Sequence, residues 1–248
     1  MSAPGGPLSF DSVMKPSAGA TASKGGRRDR RSSAPKPLAP SGGATIEHIS
    51  RRLSYFLRHG AAEAGIPMAA DGFAFLDDIF KQSQMRNVTV EDVREVVRAC
   101  PKQRFALDET GPRIRIRANQ GHSFAVAELE LKTITLENFT EICPVVYHGT
   151  SKGTWDKILE SGHLHRMARE HIHMTVPQGI SGARASAGIF IYIDLAKALT
   201  DGVPFFQSAN GVILSPGVVG TEGILPSKYF AKVTNRAGEV IWTPAQEG

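Results

Sequence analysis

The stretch Arg113-Ile114-Arg115-Ile116-Arg117-Ala118-Asn119-Gln120-Gly121-His122-Ser123 decides how the rest of the chain is read. Its first half alternates with period two, which predicts a strand with Ile114 and Ile116 toward a core and Arg113, Arg115 and Arg117 on the opposite face. Guanidinium groups in a row repel one another unless an anion sits among them, and their planar fork suits a phosphate. The second half packs two amides, an imidazole, a hydroxyl and a glycine into five residues. Two readings stand at this point: an anion-binding strand, or an exposed edge strand whose arginines are only solvated.

Working outward, 248 residues suffice for one large domain or two small ones, each with its own core. The chain carries 29 Lys+Arg against 24 Asp+Glu, a net charge of +5 that favours anionic partners mildly. Cys100 and Cys143 have no metal-site spacing and are expected to be reduced, buried thiols. No apolar run reaches the length of a membrane span, and no apolar leader opens the chain. The expectation is a soluble, intracellular monomer of the cytoplasm and/or nucleus, with no membrane partner.

Residues 1–43 are dominated by Ser, Gly, Pro and Ala around the basic knot Lys24–Arg31 and read as a disordered basic tail. That knot suits a nuclear address, a nucleic-acid tether or a solubilising tail. From Thr45, a good N-cap, the apolar stripe Ile46, Ile49, Leu53, Phe56 and Leu57 predicts a helix closed by His59, with Arg51, Tyr55 and Arg58 on its other side. A short strand at 73–75, a helix over 76–85 and a Thr89-capped helix over 90–100 follow. Strands at 104–107 and 113–117 complete three helices and a hairpin, the outline of a winged helix over 44–125. Residues 126–248 read as a second, β-rich and mostly antiparallel lobe. Its signals are a strand into His148-Gly149-Thr150, a helix over 155–161, strands at 172–174 and 188–193, a helix over 195–201, and a hairpin around Asn210-Gly211. A helical turn near 226–230 and a strand at 239–242 end it. The fold class expected is α+β.

The Walker phosphate loop, G-x-S-x-G, H-E-x-x-H and the Rossmann fingerprint are all absent. Five histidines fall between His148 and His173 without the carboxylate or cysteine partners a closed metal site wants, so no metal is expected. Arg58-His59, Arg117 and Arg184 are more informative, because each ends a regular element or sits in a Gly-rich loop where functional groups are displayed. If they converge, three guanidiniums and an imidazole would stabilise charge developing on phosphorus.

Five segments in order resemble motifs of the tRNA 2′-phosphotransferases: Leu53-Ser54-Tyr55-Phe56-Leu57-Arg58-His59, Ile116–Ser123, Tyr147-His148-Gly149-Thr150, His171-Ile172-His173-Met174 and Phe205–Leu214. The resemblance covers roughly residues 45 to 232. It implies a winged-helix RNA lobe and an NAD⁺-binding lobe of the ADP-ribosyltransferase fold. It also implies that the splice-junction 2′-phosphate of ligated tRNA is transferred to NAD⁺, giving 2′-OH RNA, ADP-ribose 1″,2″-cyclic phosphate and nicotinamide. NAD⁺ is then a co-substrate, and 2′-phosphorylated tRNA or RNA the partner.

By the same resemblance Arg58, His59, Arg117 and a loop arginine form the catalytic set. Arg184 matches that loop arginine best, with Arg169 as the competitor, because Ala185-Ser186 follows Arg184 where many relatives carry His-Gly. His148, Gly149, Thr150 and His173 correspond to NAD⁺-contacting positions, and Arg51, Arg115, Asn119, Gln120 and His122 are the candidate RNA contacts. The last hairpin strand carries Val212-Ile213 where protein-modifying relatives often place a catalytic Glu, which suits an acceptor that is already anionic. The alternative acceptor is a terminal phosphate of RNA or DNA, which would become ADP-ribosylated.

Overall fold

The computed structural model describes residues 45–177 and 186–244; the tail read over 1–43 and Arg184 lie outside them. The chain enters helix α1 (Ile46–Tyr55) through Thr45, whose hydroxyl accepts the His48 N–H at 3.3 Å. Ile49 and Leu53 point into the core and are fully buried, each contributing roughly 1.5–3 kcal/mol before chain entropy is counted. Regular winding stops at Tyr55, earlier than the stripe predicts, and Phe56–Gly60 forms a turn of π-helix. The Tyr55 ring lies over Gly60, where a Cβ would stand 2.4 Å from Cε1, so that position accommodates no side chain without moving the ring.

Strand β1 (Ala74–Phe75) runs into helix α2 (Leu76–Phe80). That helix is shorter than the predicted 76–85 because Gln82 turns extended and its side-chain amide donates to the Ala64 carbonyl at 3.0 Å. A 3₁₀ turn, Ser83–Met85, takes the remainder. Helix α3 (Val90–Ala99) opens with the expected reciprocal box between Thr89 and Asp92. Strands β2 (Phe105–Asp108) and β3 (Arg115–Ala118) form the hairpin. The sheet order is β1-β3-β2, all antiparallel, so the Arg-rich strand is the middle one and the edge-strand reading falls. Ile116 and Ala118 are fully buried in a core that runs from Ile49 to Ala118.

A second core, from Ile134 to Val233, follows. Its elements are β4 (Leu131–Ile134), α4 (Phe139–Ile142), β5 (Tyr147–Thr150), α5 (Lys152–Ser161), β6 (His163–His165), β7 (Ile172–Met174), β8 (Ile189–Ile193), α6 (Leu195–Thr200), β9 (Phe205–Ser208), β10 (Ile213–Ser215), β11 (Ile224–Pro226), β12 (Phe230–Asn235) and β13 (Val240–Trp242). They make two four-stranded sheets, β4-β9-β10-β7 and β13-β12-β8-β5, and a β11-β6 pair. Every described pairing is antiparallel, and the α+β class holds. The sequence reading missed β6, β11 and β12. α5 begins at Lys152 rather than Trp155 because the Ser151 hydroxyl accepts the Thr154 N–H at 3.3 Å and starts it early.

β5 and β7 are edge strands, one of each large sheet, and the sheets meet where Tyr147 and Thr175 exchange backbone hydrogen bonds of 3.0 and 2.9 Å. Both cores belong to one compact unit. The Glu170 N–H donates to the His122 carbonyl at 3.0 Å, and the Asn210 side-chain amide to the Lys102 carbonyl at 2.9 Å, fastening the two cores together.

Candidate active site

Arg58 and His59 are displayed by the π-wound turn that ends the first helix. The Arg58 Nε and Nη2 are buried with no hydrogen-bond partner. Burial, then the neighbouring Arg169 and Arg104 guanidiniums, pull its pKa down to about 10. A guanidinium held out of water beside two others has the chemistry that suits an anion. His59 is exposed, and its Nδ1 lies 3.1 Å from the Ser123 Oγ. Partial burial, Arg58 and Arg169 lower its pKa and favour the neutral ring.

The three strand arginines have separate fates. Arg113 lies over the Phe75 ring and pairs with Asp77 and Asp78. Arg115 pairs with Asp108 at 2.6 Å and Asp71 at 3.3 Å. Arg117 is buried, with Nη2 on Glu130 at 2.7 Å, Nη1 on the Asp71 carbonyl at 3.4 Å and Nε without a partner. Both Arg115 and Arg117 stand over Phe73, at 4.7 and 4.9 Å. Alternation placed the three on one face but could not say that Phe73 and Glu130 would cover the last of them.

Beyond the strand the chain passes under Arg58. Gly121 has φ +93, and a Cβ there would stand 3.3 Å from the Arg58 Nε. His122 is 3% exposed, its Nε2 has no partner, and burial with Arg58 and His171 holds its pKa down to about 4. His173, on β7, also has a buried, unpartnered Nε2, and burial with Arg169 and Arg58 pushes its pKa to about 3. Arg58, Arg169, His59, His122 and His173 thus gather from both cores.

Of these, His59, Arg169 and His173 line a cleft of about 940 Å³, together with His148, Gly149 and Thr150 of β5, Lys157 of α5, His163 and His165 of β6, and Arg166. The His148 Nδ1–H donates to the His173 carbonyl at 2.9 Å, tying β5 to β7 on its floor. No three His, Cys, Asp or Glu side chains among the described residues gather as a metal site.

Comparison with known proteins decides the family. The profile of the RNA 2′-phosphotransferase, Tpt1 / KptA family matches residues 44–217. The chain belongs to that family. It is similar to human tRNA 2′-phosphotransferase 1, 44% identical over 224 residues, covering 88% of this chain and 85% of the relative. The Bos taurus protein of the same name is 46% identical over 191 residues, covering 73% and 72%. That of Danio rerio is 42% identical over 191 residues, covering 74% and 83%.

Within this RNA 2′-phosphotransferase frame, Arg58, His59 and Arg117 all face His122, and His59, His148, Gly149, Thr150 and His173 line the cleft. Arg184 lies outside the described residues, whereas its competitor Arg169 stands beside Arg58, His59 and His173. Of the candidate RNA contacts, Arg51 pairs with Glu47 on the exposed face of α1. Asn119 and Gln120 are buried, and the Asn119 amide donates to the Gln103 carbonyl at 2.7 Å. Glu130 and Arg104 escaped sequence reasoning as site neighbours, because their partners are remote in the chain and no periodicity marks them.

The close approach at Gly121 yields a prediction. Gly121→Ala is expected to cost about 1–3 kcal/mol in stability, because it strains a positive φ and presses on Arg58. Chemical denaturation would measure it, and an unchanged midpoint would mean the backbone can shift away.

Proposed function

We propose that this chain is an NAD⁺-dependent tRNA 2′-phosphotransferase, removing the splice-junction 2′-phosphate from ligated tRNA and leaving a 2′-OH. The carrying observation is the Arg58 guanidinium, two of its nitrogens buried without a partner, beside Arg169 and His122, with His59, Arg169 and His173 lining the adjoining cleft. Such a cluster suits a dianionic phosphate and strengthens as charge builds on it. Family membership and the ordered motifs support the same reaction. The first core, with its three helices and hairpin, is read as a winged-helix RNA lobe over 44–125. The second, with its splayed antiparallel sheets, is read as an ADP-ribosyltransferase-like lobe over 126–248.

The residues of the cleft fit NAD⁺ as co-substrate. The volume of about 940 Å³ lies within the range of roughly 300–1,000 Å³ usual for cofactor sites. Lys157 and Arg166 on its wall suit a pyrophosphate, and the orphaned His173 Nε2 suits a ribose hydroxyl or amide group. When bound, NAD⁺ would supply the ribose carbon that accepts the phosphate and the nicotinamide that leaves. Arg58, Arg117 and a loop arginine, Arg184 or its competitor Arg169, would hold the phosphate, and β5 and β7 would keep the dinucleotide in line with it.

The test is nicotinamide release and phosphate loss with NAD⁺ and an authentically 2′-phosphorylated RNA. No turnover with that RNA would refute the reading. Arg117→Ala is expected to lower turnover by about 10²–10³-fold. Its side chain is buried over Phe73, so the same change should also cost about 1–2 kcal/mol of stability, measurable by urea unfolding. Near-normal turnover in this variant would remove Arg117 from the site.

A further inference from the structure

We propose that Ser123 is a positioning residue that locks His59 with its proton on Nδ1, leaving Nε2 as a bare proton acceptor at the cleft. The argument is a count of protons over three hydrogen bonds. The Ser123 N–H donates to the Arg58 carbonyl at 2.9 Å, and the Ser123 hydroxyl donates to the same oxygen at 3.1 Å. That carbonyl can only accept, and we assign the one hydroxyl proton to it. With the hydroxyl so oriented, the His59 Nδ1, 3.1 Å from Oγ, forms its bond by donating. A neutral imidazole carries one N–H, so Nε2 is left with its lone pair.

The surroundings agree with this assignment. Both elements of the lock are anchored, Ser123 through its own backbone to Arg58 and His59 through the π-wound turn. Arg58 and Arg169 beside the ring disfavour a second proton on it. His59 lines the cleft, so its free nitrogen is the one available to a ligand there. A ring prepared in this way takes a proton from a hydroxyl, whereas one carrying Nε2–H could only hydrogen-bond to a phosphate oxygen as a donor. The arrangement therefore separates two roles that the residue types alone leave open.

The direct test is ¹⁵N NMR of the full chain near neutral pH, with the His59 signals identified by their loss in His59→Gln. The expected result is a protonated Nδ1 and a bare Nε2. In Ser123→Ala, Nδ1 loses its acceptor, and an Nε2–H population should appear. Ser123→Thr keeps the hydroxyl and should restore the wild-type pattern. The turnover arm rests on the phosphotransferase reading: Ser123→Ala should lower kcat roughly tenfold or more with the KM for RNA little changed, and Ser123→Thr should recover it.

An Nε2–H signal in the wild-type protein overturns the proposal, and so does an unchanged kcat in a folded Ser123→Ala. Should that variant fail to fold, the wild-type spectrum still decides. Should wild-type protein give no turnover with 2′-phosphorylated RNA, the functional reading fails while the tautomer is still measured.

Discussion

Arg58→Met is expected to abolish most phosphate removal while leaving the melting temperature unchanged or a few degrees higher. The first half follows from charge. A buried guanidinium aimed at a transferring phosphate contributes about 2.7–4 kcal/mol to the transition state, which is a loss of roughly 10²–10³-fold in kcat. The second half follows from what Arg58 lacks. Its Nε and Nη2 are buried without partners, and Arg169 and Arg104 push against its charge. Each unsatisfied buried group costs about 1–3 kcal/mol, and replacing such a charge with an apolar chain of similar length is often stabilising. Parallel measurement of turnover and thermal unfolding checks both halves. A fall of several degrees would make Arg58 a structural pillar and contradict the reading of its buried, unpartnered nitrogens as a cost to stability.

Acid lability is the second large effect. His122 and His173 titrate near 4 and 3 in the folded chain, both held down first by burial and then by neighbouring arginines. The facing groups are Arg58 and Arg117 with His171 and His59 for His122, and Arg169 and Arg58 with His171 for His173. The unfolded chain takes up protons near the ordinary histidine value of about 6.5 while the folded one does not. Below that value the unfolded state therefore binds more protons, and stability falls as pH falls. Between pH 7 and 5 each ring is expected to remove about 2 kcal/mol from the unfolding free energy. Urea unfolding at the two pH values measures the sum, and His173→Gln should recover about half of it. Inorganic pyrophosphate, binding the cationic cluster, should blunt the loss. A midpoint that does not move with pH would mean that water or an anion reaches both rings.

Much of the framework could be read from local signals. The stripe from Ile46 to Leu57, the Thr89–Asp92 box and the Asn210-Gly211 turn each encode their element within a few residues, and all three are present. β6 carries a single apolar residue between two histidines, and β11 ends in a proline, so neither has a period to detect. The site shows the same divide. Alternation marked the face of Arg115 and Arg117, yet Asp108 and Asp71 neutralise one while Glu130 and Phe73 cover the other. Those partners lie between 7 and 44 residues away, a separation that only tertiary packing brings within reach. The resemblance, rather than the pattern, brought His148 and His173 into the same reading, and their 2.9 Å hydrogen bond is the physical link between them.

The slackened turn at Phe56–Gly60 has a consequence in angular terms. Regular α-winding advances the chain by about 100° per residue, so consecutive side chains diverge by that angle. Winding with i→i+5 bonds advances less and narrows the divergence. Arg58 and His59 are adjacent in sequence and still reach one site, the first from within and the second from its rim. Their bearing is therefore set by the number of residues between the Thr45 cap and Gly60, and less by the identity of the outward-facing ones. Substitutions along the exposed side of α1 leave that bearing alone; a single inserted or deleted residue turns both groups away together.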